Sequence, residues 1–264
     1  MAARNGPVRA SAVISTPAPP GASPESAGAR RSRPLPCLNE RPSVGEVVRH
    51  SLATLERLRL RGEVVVCDNG SHDGSADLAR SAGARVVLQP VRGYGISVLT
   101  AAAAASGRVL VVMDADGSYS CDDIGHLVAP VLSGHVDYAR GSRFSAGTSP
   151  QAMTFARRYI GNPALTALLR HVGGIAWSDG QSGMWAISAD RLQKMNLRSP
   201  GMEFAHEMLL EIQRTGARWV EIPIKYLPRQ GRSKLRPVRD GLRHLSFLWQ
   251  RYHRPADYPS SAAN

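Results

Sequence analysis

A chain of 264 residues can bury one substantial core, as one large domain or a domain with an appendage. With 43% hydrophobic residues it holds no run near the ~18 uninterrupted apolar residues of a membrane span, and its start lacks the apolar stretch of a secretory signal. The net charge of +12 is gathered at the two ends, which points to an anionic partner: nucleic acid, an anionic membrane or an anionic substrate.

Residues 1–33 carry five Arg and one Glu among Ala, Pro, Ser and Gly, the composition of a disordered tail. The domain is expected over 34–234, followed by a basic amphipathic helix and tail over 235–264. Helical spacing of apolar residues runs from Val44 to Leu60, and Glu63–Cys67 reads as a short buried strand. A helix follows over Asp73–Ser81, with Asp73 as its N-cap. Then come a strand at Arg85–Leu88, a helix at Ile96–Ala105 and a strand at Val109–Met113. A helix at Asp122–Leu132 and a strand near Val136–Ala139 continue the alternation. Such βαβ order implies an α/β fold with a mostly parallel sheet and helices on both faces. Further on, helices are expected at Thr154–His171, despite Gly161 and Pro163, and at Phe204–Thr215. Arg218–Tyr226 alternates like a strand broken by Pro223. The first strand of the sheet should precede Leu38-Asn39-Glu40, yet Arg30-Arg31-Ser32-Arg33-Pro34 stands there, so only residues 35–38 are left to form it.

Polar groups recur where strands end: Asn39-Glu40, Asp68-Asn69-Gly70-Ser71 and Asp114-Ala115-Asp116. Carboxyl ends of strands are where open α/β sheets bind ligands. Asp114 and Asp116, hard oxygens without His or thiolate company, suit Mg²⁺ or Mn²⁺ bridging a substrate's phosphates. An isolated D-x-D reads equally well as an Asp-rich turn. Asp68 is suited to accept hydrogen bonds from a base or ribose, and Gly93 and Gly95 to let a diphosphate approach a helix start. The three cysteines, Cys37, Cys67 and Cys121, have neither zinc-site spacing nor the even number of a disulfide framework, which suits a reducing cytosol.

Taken in order, L-P-C-L-N-E at 35–40, C-D-N-G-S-H-D-G-S at 67–75, R-G-Y-G at 92–95 and M-D-A-D-G-S-Y at 113–119 form a set. G-S-R-F at 141–144, D-G-Q-S-G-M-W at 179–185, G-M-E-F at 201–204 and R-Q-G-R-S-K-L at 229–235 extend it. This set resembles glycosyltransferase family 2, and within it the dolichyl-phosphate mannosyltransferase-like or polyprenyl-phosphate hexosyl synthases. The resemblance implies a GT-A, Rossmann-like fold that binds a nucleotide-diphosphate sugar and Mg²⁺ or Mn²⁺. It implies nucleotide contacts for Glu40, Asp68 and Asp114, a share of the metal for Asp114 and the main metal bond for Asp116. It places Arg143 on a phosphate, and Arg229, Ser233 and Lys234 near an acceptor phosphate. Two departures are Arg41, where the family commonly has a second acidic residue, and the absence of the transmembrane helices that some members carry.

The expected activity is inverting transfer of a hexose to a polyprenyl phosphate, whose ionised oxygen needs no strong base. Transfer to a hydroxyl of a glycan or metabolite is the alternative, with Asp179, Glu203, His206 and Glu207 as candidate bases. An impaired homologue with a damaged first strand is a further alternative. A nucleic-acid-binding role lacks the interleaved aromatics and recognisable modules it would need. His206, His244 and the four tryptophans read most simply as packing residues. The helix Leu235–Tyr252 has its Leu, Val and Trp residues three or four apart and its arginines mostly elsewhere, the pattern of an interfacial membrane helix or of one packed on the domain. A cytoplasmic enzyme, peripheral on the inner face of the membrane, is the expected setting.

Overall fold

The computed structural model describes residues 12–14, 36–144, 152–174, 177–231 and 237–253. Ser233, Lys234, Leu235, the tail after 253 and most of the N-terminal 33 residues, on which several expectations fall, lie outside the described residues.

Eight strands and eight α-helices lie among the described residues, alternating from α1 through β7. β1 is Ala12–Ile14, β2 Pro36–Cys37, β3 Val65–Asp68, β4 Arg85–Leu88 and β5 Val109–Met113. β6 is Tyr138–Ser142, β7 Trp185–Ser188 and β8 Trp219–Pro223. The helices are α1 Val44–Arg57, α2 Ser75–Ser81, α3 Tyr94–Ala104, α4 Ile124–Leu132 and α5 Asn162–Gly173. The set closes with α6 Ala189–Gln193, α7 Phe204–Arg214 and α8 Pro237–His253.

The strands run β4-β3-β2 in one sheet and β1-β5-β7-β6-β8 in another. β2, β3 and β4 pair in parallel, as do β6 and β8. Antiparallel pairing enters with β7, which lies between β5 and β6, and with β1 on the other edge of β5. The GT-A-type α/β architecture is therefore present, with a mixed sheet. β7 escapes sequence reading because Trp-Ala-Ile-Ser is only four residues long and its neighbours carry no strand pattern. Among the described residues the first strand, β2, is two residues long, registered as Pro36 with Cys67 and Cys37 with Asp68. The free edge of β5 is covered instead by β1, in the register Ala12 with Met113 and Ile14 with Val111.

β5 shows why its sequence is a continuous apolar run. Successive side chains point to opposite faces, and both faces are covered. Val109, Val111 and Met113 join the core built with Val44, Val47 and Val48 of α1 and Ile124 and Leu127 of α4. Leu110 and Val112 join the opposite core with Val98 of α3 and Phe204, Met208 and Ile212 of α7. Full burial of each such side chain stabilises the fold by about 1.5–3 kcal/mol, which fixes the strand's register and hence where it ends. β4 is the exception, an edge strand with Leu88 65% exposed.

Two boundaries differ from expectation for local reasons. Gly74, with φ +82°, precedes α2, and Asp73 stands one residue further out, accepting a hydrogen bond from the Ser75 amide at 3.0 Å. Between Thr154 and His171 a π-turn at Arg157–Gly161 passes into α5, whose first turn takes Pro163 where no N–H is needed. Among the described residues no helix is long and apolar enough to cross a membrane.

Candidate active site

The carboxyl ends of β2, β3 and β5 meet at one rim. Asn39 adopts a left-handed backbone, φ +52°, which an Asn side chain tolerates. Its amide donates to Ser71 Oγ at 2.9 Å and its Oδ1 accepts from the His72 amide at 2.8 Å, stapling the end of β2 to the loop after β3. The Glu40 carbonyl then accepts from the amides of Ser43 and Val44 and opens α1. Ser43 Oγ donates to the Ala115 carbonyl at 2.7 Å, tying that helix start to the Asp114-Ala115-Asp116 turn.

Glu40, Asp68, Asp114 and Asp116 are all nearly inaccessible to solvent. Asp116 Oδ1 accepts from the Ser118 amide at 2.9 Å and from Ser118 Oγ at 2.5 Å, which leaves its other oxygen to face Arg229. That oxygen, Oδ2, stands 3.3 Å from Arg229 Nη2, and the same nitrogen is 3.4 Å from Glu40 Oε1. Arg229 sits in a loop held over the turn by the Gln230 amide, which donates to the Asp116 carbonyl at 2.8 Å. Asp68 Oδ2 accepts from the Ser71 amide at 3.2 Å, while its Oδ1 is buried without a hydrogen-bond partner among the described residues. The negative charges of Asp68 and Glu40 both act on Cys37, whose thiol, pushed up first by burial, reaches a pKa of about 12.

Asp114 is held differently. A β-carbon at Gly183 would lie 3.0 Å from Asp114 Oδ2, so a side chain where the 179–183 loop meets this carboxylate would press on it. Tyr119 accepts the Gly183 amide hydrogen through its hydroxyl at 2.7 Å. No three His, Cys, Asp or Glu side chains among the described residues converge as a protein-only metal cage. Mg²⁺ and Mn²⁺ do not need one, since they bind through one or two carboxylates and complete their shell with phosphate oxygens and water. An Asp116 oxygen that holds a positive group at loose distance fits that use.

Residues 35–195 match the family described as Glycosyl transferase family 2. The chain belongs to glycosyltransferase family 2. Over 217 residues, 81% of its length, it is 37% identical to the low-salt glycan biosynthesis hexosyltransferase Agl6 of Haloferax volcanii, and it spans about half of that protein, 52%. Over 203 residues it is 30% identical to the dolichyl-phosphate hexose transferase of the same organism, covering 77% of this chain and 85% of that one. Among solved structures it is similar to glucosyl-3-phosphoglycerate synthase of Mycobacterium tuberculosis in complex with Mg²⁺ and uridine diphosphate. There the TM-score is 0.65 and the identity 25%, over 90% of this chain and 87% of the other.

In this member of the family two expected site residues have other engagements. Arg143 is 1% exposed and forms a bidentate pair with Asp179, Nε to Oδ2 at 2.7 Å and Nη2 to Oδ1 at 2.8 Å. Its guanidinium lies over the Tyr226 ring at 5.2 Å. Burial works against both charges, yet each partner prevails: Asp179 stays below the usual carboxylate range and Arg143 well above its ordinary value. As arranged, Arg143 is engaged through Nε and Nη2 as the buried ion-pair partner of Asp179. At Gly93 the space a side chain would need is filled by the Pro200 carbonyl, 2.2 Å from a β-carbon placed there. The glycine thus serves chain packing first.

The structure adds a residue that sequence reading did not single out. Arg140, fully buried on β6, donates to the Asp179 carbonyl and the Ser182 carbonyl, both at 2.8 Å, and to the Tyr138 hydroxyl at 3.0 Å. Glu221 on β8 accepts from the amides of Ser178 and Asp179 at 2.8 and 3.1 Å. Together Arg140, Arg143 and Glu221 fix the loop that abuts Asp114. The one available signal was an arginine two residues into a strand that is otherwise buried.

Proposed function

We propose that this glycosyltransferase moves a hexose, with inversion, from a nucleotide-diphosphate sugar to a polyprenyl phosphate. The observation that carries the proposal is the buried rim of Glu40, Asp68, Asp114 and Asp116 at the strand ends, with Arg229 leaning over it. Asp68 and Glu40 hold the nucleoside, and Asp116, helped by Asp114, holds Mg²⁺ or Mn²⁺. When bound, the metal supplies positive charge against the departing diphosphate. The chain's own groups position the rest. The anomeric carbon–oxygen bond to the diphosphate breaks as an acceptor phosphate oxygen bonds to the opposite face, and the diphosphate leaves with the electron pair. Holding the two reactants in line accounts for much of the rate. Arg229, with Lys234, is the cationic group offered to the acceptor phosphate.

A phosphate acceptor is favoured over a hydroxyl by the state of the candidate bases. Asp179 is locked to Arg143. Glu207 Oε2 accepts from the amides of Arg198 and Ser199. His206 is fully buried against His244, and Glu203 turns Oε1 back to the Gly201 amide. A phosphate oxygen is already ionised and needs none of them. The names of two relatives, a hexosyltransferase and a dolichyl-phosphate hexose transferase, agree with this reading.

The experiment is transfer from labelled nucleotide sugars to polyprenyl phosphate with Mn²⁺, followed by extraction of labelled lipid. The Asp116→Asn substitution, which keeps the hydrogen bonds to Ser118, should lower turnover at least about a hundredfold without unfolding the protein. Unchanged turnover would remove Asp116 as a metal ligand. Label appearing only in hydroxyl acceptors would replace the lipid phosphate.

A further inference from the structure

We infer that Arg229 is a built-in counter-cation of the metal site: it neutralises Glu40 and Asp116 before donor binds, and a divalent metal must displace it. The inference rests on the reading of Asp116 as the metal ligand. One guanidinium nitrogen, Nη2, serves two buried carboxylates, 3.4 Å from Glu40 Oε1 and 3.3 Å from Asp116 Oδ2. Both carboxylates are nearly inaccessible, and in a low-dielectric rim a cation touching both lowers the cost of holding their charges close.

The pair is built to release. A guanidinium offers five N–H donors in a fixed fork. Arg229 uses only Nη2, at the long end of contact, and its Nε and Nη1 are buried without hydrogen-bond partners among the described residues. Arg143 on Asp179 is the counterexample in the same molecule: two short parallel bonds at 2.7 and 2.8 Å, with aromatic rings closing the other side. The backbone beneath Arg229 is firm, since the Leu227 amide bonds the Ser118 carbonyl at 2.9 Å and the Gln230 amide bonds the Asp116 carbonyl at 2.8 Å. Release therefore needs only the side chain to swing. The metal and the guanidinium claim the same Asp116 oxygen and repel each other at that range.

Competition of this kind is read in the nucleotide-free protein. Titrating Mn²⁺ and following free Mn²⁺ by electron paramagnetic resonance gives the affinity without any turnover. The Arg229→Gln and Arg229→Ala variants, checked for folding by circular dichroism, should each bind Mn²⁺ at least about tenfold more tightly than wild type. Gln230→Ala, which removes the neighbouring 3.3 Å contact with Glu46 and no charge, should bind as wild type does. Equal or weaker binding by both Arg229 variants overturns the inference. So does an equal gain in Gln230→Ala, which would make loop loosening the cause. Absence of Mn²⁺ binding in every protein, even with uridine diphosphate added, would sink the metal reading itself, a different failure from loss of competition.

Discussion

Arg143 and Asp179 lie 36 residues apart, and no sequence spacing joins them. Asp179 accepts from the Arg143 amide, the Gln181 amide and two nitrogens of the Arg143 guanidinium, all while fully buried. Removing one member of such a pair strands the other charge in the interior. The Asp179→Asn substitution should therefore destabilise the protein by roughly 3–5 kcal/mol, lowering the midpoint of thermal unfolding by on the order of 10 °C. A midpoint within a degree or two of wild type would show that the pair is not uncompensated when broken. The acidic residues were legible at this scale because each follows a strand whose apolar run can be counted. Arg143 was legible as a motif residue, but its use was not, because the partner that neutralises it is brought in by the fold. Glycine was legible as a close-approach residue at positions 93 and 95 but not its reason, since the atoms that exclude a side chain belong to the backbone of Pro200 and Ser199.

At the scale of elements, α7 and α8 meet through a buried histidine pair. His206 Nδ1 and His244 Nδ1 are 3.2 Å apart, and His206 Nε2 contacts the Gln181 amide group. Burial holds both imidazoles below their ordinary pKa, His206 well below. His244 and Arg140 add to the effect at His206, whereas Glu203 and Asp240 partly oppose it at His244. In the folded chain both are thus neutral at pH values where the unfolded chain binds protons. Stability is full above the ordinary value of 6.5 and falls as pH drops beneath it, by up to about 1.4 kcal/mol per pH unit for each histidine. Denaturant unfolding at pH 7.5 and 5.5 should show this loss, and His244→Gln should make it shallower. An identical slope in the variant would exclude the pair as its source. The pair was invisible in the sequence, where His206 and His244 read as packing residues, and the helices that carry them were found with ends off by one or two residues. Helices with a wide apolar stripe declare themselves. A four-residue strand such as β7 does not, because its partners β5 and β6 set its role.

Over the whole molecule, the ends of the chain carry the charge and α8 carries the apolar surface. α8 buries Leu248 and pairs Arg251 with Glu211 at 3.3 Å, yet leaves Trp249 67% and Leu242 61% exposed. Phe155, Tyr159 and Ile160, beside the start of α5, are exposed as well. Between α5 and α8 lies a cavity of about 620 Å³ lined by Leu168, Val172, Leu242, Leu245, Trp249 and Tyr252. Aromatic and aliphatic side chains in the open beside exposed Arg243 make an amphipathic face of the kind that lies in a lipid headgroup layer. On the proposed reading the acceptor is a polyprenyl phosphate, a lipid held in a bilayer, and this face would set the rim beside it. Basic residues near an anionic leaflet add about 1 kcal/mol each, and burial of each large apolar side chain about 1.5–3 kcal/mol. The protein should float with vesicles containing anionic lipid and much less with neutral ones. The double substitution Leu245→Glu and Trp249→Glu should weaken that binding at least about tenfold, with Mn²⁺ affinity unchanged. Turnover should then fall for polyprenyl phosphate in vesicles but not for the same acceptor in detergent. Vesicle binding untouched by the substitutions would assign the exposed face to something other than lipid.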